Sequence, residues 1–176
     1  MKNNKELLKL AREAIECEFN NKEIRFSEDI KKKFSKKQAC FVTLTMGGEL
    51  RGCIGTLQAR QELWKDVIEN ACNAAFGDPR FNPLRKGELD KIHIEISVLS
   101  VPEKLGLGKD VYDKIDNKMG IILKKAWNCS TFLPQVWEQL PSKTEFLEHL
   151  SRKAGLGKDD WKESEISYYR VEGCEE

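Results

Sequence analysis

Net charge is nearly absent from this chain: 30 basic residues face 29 acidic ones, for a formal charge of +1. That balance supplies no field to draw in a polyanion, so nucleic acid is not an expected partner. No apolar run approaches the length of a membrane span. Residues Met1 to Glu6 have neither the apolar stretch nor the small-residue cleavage site of a signal peptide, so the expectation is a cytoplasmic location with no membrane. The six cysteines, at 17, 40, 53, 72, 129 and 174, form no Cys-x-x-Cys pair and no zinc-type spacing with the two histidines. Reduced thiols are expected, and neither a metal nor another cofactor.

What is present is a globular composition, 40% hydrophobic and 34% charged over 176 residues. A chain of that length buries about 70% of its unfolded surface and is by default one domain. Lys31, Lys32, Lys33, Lys36 and Lys37 form one basic cluster, which reads as a solvated surface because aromatic residues are not interleaved with it.

Leu7, Leu8, Leu10, Ala11, Ala14, Ile15 and Phe19 recur at helical spacing over residues 4 to 19, with Asn3 or Asn4 as N-cap and Cys17 beside the stripe. Residues 41 to 46 and 49 to 56 flank Gly47-Gly48, a two-residue turn that demands positive φ twice. Without a bulge, that turn sets Leu44 opposite Arg51 and Val42 opposite Cys53. Arg51 and Cys53 then share a face with Val42 and Leu44, while Leu50, Ile54 and Phe41 share the other; Gly52 is where a bulge would break this register.

Residues 61 to 76 read as a second helix that buries Cys72, ending at Gly77. Asp78-Pro79 and Asn82-Pro83 then have the form of N-caps before first-turn prolines. Residues 91 to 101 alternate as a strand, with Ile92, Ile94, Ile96 and Val98 on one face and His93, Glu95 and Ser97 on the other. A loop-rich stretch to 118 follows, then strands near 120–123 and 130–133, a short helix from Pro134 through Trp137, a helix over 143–154 and a final strand over 166–171. The recurrence of Gly-Leu-Gly-Lys-Asp at 106–110 and 155–159 reads as turn chemistry, since it lacks phosphate-loop spacing. Together these give an α+β fold, an antiparallel sheet with flanking helices.

A thiol is a nucleophile only as thiolate, and a nearby cation favours that form. Two readings of Arg51 and Cys53 stay open: Arg51 supports a Cys53 thiolate or holds an anionic group, or Arg51 pairs with a carboxylate while Cys53 packs against Val42. His93 and Glu95 are the weaker candidates for an acid-base partner. His149 falls beside the apolar face of a helix, where a structural role is expected.

The segment Leu50-Arg51-Gly52-Cys53-Ile54-Gly55 resembles the signature of the AMMECR family. Phe76-Gly77-Asp78-Pro79-Arg80-Phe81 with Pro83, Ile94 to Ser100, Phe132 to Trp137, and Lys153-Ala154-Gly155-Leu156 with Trp161 match in the same order, so the resemblance covers nearly all of residues 1–176. It implies two lobes with a cleft between them, the larger holding both termini and the smaller within 100–150. The six-residue motif would line the cleft, with Leu50, Gly52, Ile54, Gly55, Asp78 and Arg80 contributing to substrate binding. Where relatives often carry a histidine or charged residue, Met119 precedes Gly120 here, which argues against a side-chain base at that position. The resemblance also implies a component of the prokaryotic AmmeMemoRadiSam gene set, acting with a Memo-type protein and a radical SAM protein. This chain lacks the Cys-x-x-x-Cys-x-x-Cys of the radical enzyme itself. The expected function is a cleft-bearing component of a modification pathway, acting on a protein or a small anionic metabolite; the alternative is a non-catalytic adaptor.

Overall fold

The computed structural model describes residues 5–176. In chain order the elements are α1 (Lys5–Phe19), α2 (Glu28–Lys33), β1 (Cys40–Met46), β2 (Glu49–Gly55), α3 (Leu63–Phe76), β3 (Ile92–Leu99), β4 (Glu103–Leu107), α4 (Gly108–Val111), β5 (Gly120–Lys125), β6 (Asn128–Phe132), α5 (Val136–Gln139), α6 (Lys143–Lys153), β7 (Glu165–Tyr169) and β8 (Val171–Glu175). They divide into two compact units, one running to Leu99 and resuming at Glu172–Glu176, the other Ser100–Val171. The second unit takes in 100–150 and continues through α6 and β7. No helix among the described residues is long and apolar enough to cross a membrane.

In the first unit the sheet runs β2-β1-β3-β8. The apolar stripe of α1 is buried as its spacing requires, Leu7, Ala11 and Ile15 having no exposed surface; the Asn3 or Asn4 cap lies outside the described residues. The stripe packs with α3 against Cys40, Val42 and Leu44 of β1 and Ile92, Ile94, Ile96 and Val98 of β3. Burying each such aliphatic side chain contributes about 1.5–3 kcal/mol. Cys72 packs against this core from its rim. α2 lies where the sequence pattern has only a basic cluster. Ser27 caps it, accepting from the Ile30 amide, with acidic residues in its first turn and lysines in its last, as the helix dipole favours. Within the cluster Lys31 pairs with Glu28 and Lys33 with Glu6.

The second unit has a sheet of order β4-β7-β5-β6, in which each strand runs antiparallel to its neighbours. Its core centres on Ile121, Leu123, Phe146, Leu147, Leu150 and Ile166. Trp137 stacks on Phe146 with centroids 3.7 Å apart and donates its indole N–H to the Met119 carbonyl at 2.9 Å. Ser142 caps α6 by accepting from Glu145 N.

Three expectations are corrected by this architecture. The stretch after Pro102 is not loop-rich throughout, because β7 supplies a ladder to β4, and α4 follows directly. The expected last strand is two, β7 in one sheet and β8 in the other, divided at Arg170. The two Gly-Leu-Gly-Lys-Asp copies also differ: 106–110 spans the end of β4 and the start of α4, whereas 155–159 leaves α6 through a turn. Identical residues take different conformations because only the first copy has a partner strand.

Candidate functional site

Gly47 and Gly48 adopt φ of 62° and 86°, so the turn opens the hairpin as its sequence demands. From it, Met46 pairs with Glu49 and Thr45 with Leu50, but then Leu44 pairs with Gly52, Thr43 with Cys53, Val42 with Ile54 and Phe41 with Gly55. Arg51 is the extra residue of a β-bulge. Because side chains alternate with period two, this one-residue slip reverses every face assignment beyond it. Cys53 therefore does not share a face with Val42 and Leu44, which point into the core. It lies on the face of Thr43, and Ile54 turns inward. The reading in which Cys53 packs against Val42 is overturned by the same register.

Gly52 explains why the slip is stable. It is buried against α3, where a Cβ would sit 2.1 Å from the Ala74 carbonyl oxygen. Only glycine permits β2 to lie this close to the helix, and with residue 52 directed inward residue 53 must be directed outward.

The outward face carries a row across three strands, because Thr43 pairs with Cys53 on one side and with Glu95 on the other. The Thr43 hydroxyl donates to Cys53 Sγ at 3.3 Å. His93, opposite Thr45, and Ser97, opposite Phe41, occupy the same face. Cys53, Glu95 and His93 thus lie on one sheet surface, with β1 between the cysteine and the other two, and His93 is half-exposed with its Nε2 3.9 Å from Glu175. Leu50 joins this face through its pairing with Thr45 and is 42% exposed.

Arg51 is committed elsewhere. Its Nε and Nη2 each donate to a Glu88 carboxylate oxygen at 3.0 Å, Nη1 donates to the Asn82 carbonyl at 3.0 Å and Nη2 to that of Pro83 at 3.4 Å. The guanidinium, first through these hydrogen bonds, holds the Glu88 carboxyl below its usual range. Arg51, Phe81, Asn82, Arg85 and Glu88 line an open depression of about 380 Å³.

The cation beside Cys53 is Arg80 instead. Asp78 is buried, and one of its oxygens accepts from Cys53 N at 2.9 Å and Arg80 Nη2 at 2.7 Å. The other accepts from Arg80 N at 3.1 Å and Nε at 3.0 Å. Arg80 Nη2 also donates to the Cys53 carbonyl at 3.2 Å. These bonds, led by those from Arg80, depress the Asp78 carboxyl far below the ordinary range. The N-cap form of Asp78-Pro79 and Asn82-Pro83 starts no helix; the next helical turn is a 3-10 segment at Lys86–Lys91, and Asp78 caps a strand edge.

Thr43 and Glu88 escaped sequence reasoning. The bulge that brings Thr43 to Cys53 is not encoded beyond a glycine at 52, and the Arg51–Glu88 pair spans 37 residues with no local signal. Among the described residues, His, Cys, Asp and Glu side chains do not gather in a group of three that could hold a metal ion.

The family model of AMMECR1 matches residues 8–174. The chain belongs to the AMMECR1 family. Similar family sequences include a protein of Aquifex aeolicus, 40% identical over 174 residues, with 96% of this chain and 89% of that protein covered. Protein NEQ441 of Nanoarchaeum equitans is 37% identical over 172 residues, covering 95% and 96%. The crystal structure of the uncharacterised protein PH0010 from Pyrococcus horikoshii superposes with a TM-score of 0.87 at 34% identity, covering 97% of this chain and 89% of that one. The AMMECR1 fold therefore extends over both units.

Proposed function

We propose that this AMMECR1-family chain works through Cys53, as nucleophile or covalent carrier in a modification pathway that it serves together with Memo-type and radical SAM proteins. The observation that carries the reading is the Thr43 hydroxyl donating to Cys53 Sγ at 3.3 Å on the outward sheet face. That bond fixes the direction in which the half-buried sulfur is presented on this face. Glu95 lies two strands from Cys53 in the same row, beyond Thr43, so it contributes a negative charge to this face rather than a direct proton acceptor for the thiol. Arg51, saturated by Glu88 and two carbonyls, secures the 82–88 segment in this reading. An anionic substrate group meets Arg80, whose side chain is 55% exposed and whose Nη1 makes no hydrogen bond among the described residues.

Limited iodoacetamide treatment near neutral pH, followed by peptide mass spectrometry, tests it. Cys53 is expected to react faster than Cys72, and Thr43→Val to slow Cys53 alone; equal rates at the two cysteines in the wild type remove the nucleophile.

One observation favours an adaptor instead: Arg51 is neutralised by Glu88, while Leu50 stands exposed on the Cys53 face. In that reading the face recognises a protein partner. Co-purification from a host carrying the Memo-type and radical SAM genes would show a stable complex, unaffected by Cys53→Ser.

A further inference from the structure

An edge strand presents unpaired N–H and C=O groups, and β2 is an edge strand. At Cys53 both outward backbone groups are taken, the N–H by Asp78 and the carbonyl by Arg80, so two residues of one loop replace a neighbouring strand. All four acceptor positions of the Asp78 carboxylate are filled, two by Arg80 side-chain nitrogens and two by the amides of Cys53 and Arg80. A buried carboxylate so saturated has no lone pair left for a substrate.

We infer that Asp78 and Arg80 form a positioning clamp for Cys53, fixing its peptide and setting the charge around its sulfur, and that Asp78 is not a substrate ligand. The inference rests on the Cys53 reading above and deepens it. The clamp follows directly from the end of α3, whose Ala74 carbonyl bears on Gly52. Cys53 is thereby held by the helix contact at the preceding residue, by the clamp along its own backbone, and by Thr43 at its sulfur. The charged groups around it are Asp78 and Arg80 from this loop and Glu95 and His93 from β3, while Arg51 is neutralised by Glu88. Because Asp78 and Arg80 cancel one another, removing either leaves the other's charge uncompensated beside Cys53.

This yields a test with opposite signs. In the full-length chain, the rate of iodoacetamide alkylation at Cys53 is followed against pH for wild type, Asp78→Asn, Arg80→Gln and Arg80→Lys, with the exposed Cys129 as internal control. Amide hydrogen exchange at Cys53 is measured in parallel. Asp78→Asn is expected to lower the midpoint of the Cys53 profile and Arg80→Gln to raise it, with Arg80→Lys lying nearer wild type and Cys129 unmoved. Loss of the charged acceptor should speed exchange of the Cys53 amide by about tenfold or more. A loosened loop alone would shift both profiles the same way, so shifts of one sign, or unchanged exchange in folded Asp78→Asn, overturn the clamp. Should Asp78→Asn fail to fold, Arg80→Gln read against Arg80→Lys decides: a rise in the glutamine variant that the lysine variant does not share supports the clamp's charge, and equal shifts in both overturn it. Wild-type Cys53 reacting no faster than Cys72 would sink the nucleophile while leaving amide exchange as an independent measure of the clamp.

Discussion

Replacing Gly52 by alanine probes the contact on which the face of Cys53 depends. The new Cβ would lie 2.1 Å from the Ala74 carbonyl oxygen and 3.0 Å from its carbon, in helix backbone that cannot rotate aside. Relief requires β2 and α3 to separate by about 1.4 Å, since ordinary heavy-atom contact is about 3.5 Å. Overpacking of this kind costs about 1–3 kcal/mol, and a backbone obstacle belongs at the upper end. Alanine returns about 0.4–1 kcal/mol by restricting the unfolded chain, leaving a net loss of about 2 kcal/mol. For a chain of this size that lowers the melting temperature by about 4–8 °C. Thermal unfolding followed by circular dichroism measures it, with Gly87→Ala as control because nothing lies within 4 Å of a Cβ there. A Gly52→Ala protein melting at or above the wild-type temperature would refute the close approach, and with it the outward direction of Cys53.

Burial pushes the Cys72 thiol up to about 11, so its alkylation rate should keep climbing through pH 10, measurable by the same peptide mapping. The Asp78 carboxyl is held below its ordinary 3.8, so its ionised form stabilises the fold above the carboxylate range and that contribution is lost as the pH falls through and below it. Urea unfolding should accordingly show the gap between wild type and Asp78→Asn narrowing from pH 6 to pH 3; a constant gap would contradict the pairing. Tyr169→Phe removes a buried hydroxyl that bonds Thr131 at 2.9 Å and donates to the Phe132 carbonyl at 3.2 Å, and should cost about 1–2 kcal/mol in urea unfolding. Trp127, 99% exposed in the β5–β6 turn, should be replaceable by alanine within about 0.5 kcal/mol.

Local signals in the sequence made much of the architecture legible. Helical spacing announced α1, α3 and α6, and alternation announced β3 with the correct buried face, because each pattern has a single face to hide. The Gly47-Gly48 turn was equally plain, since two consecutive positive φ values suit glycine. Less was legible where pairing decides: β4 has little strand propensity of its own and exists because β7 runs beside it. The candidate site divides the same way. Cys53, Glu95, Asp78 and Arg80 all stood out in the sequence, yet their arrangement did not, because a bulge at Arg51 changed the face that Cys53 meets and the Asp78 and Arg80 bonds to it are long-range.

By itself, then, the sequence determined the residue types of the site, the turn that starts the hairpin and the family to which the chain belongs. Only the tertiary structure decided that Arg51 turns to Glu88, that Asp78 and Arg80 hold Cys53, and that the sulfur lies beside Thr43. The physical reason is range. Periodicity and turn chemistry act over a few residues, whereas the Gly52–Ala74 approach and the Arg51–Glu88 and Asp78–Cys53 bonds join positions 22, 37 and 25 residues apart, a separation that only folding can close.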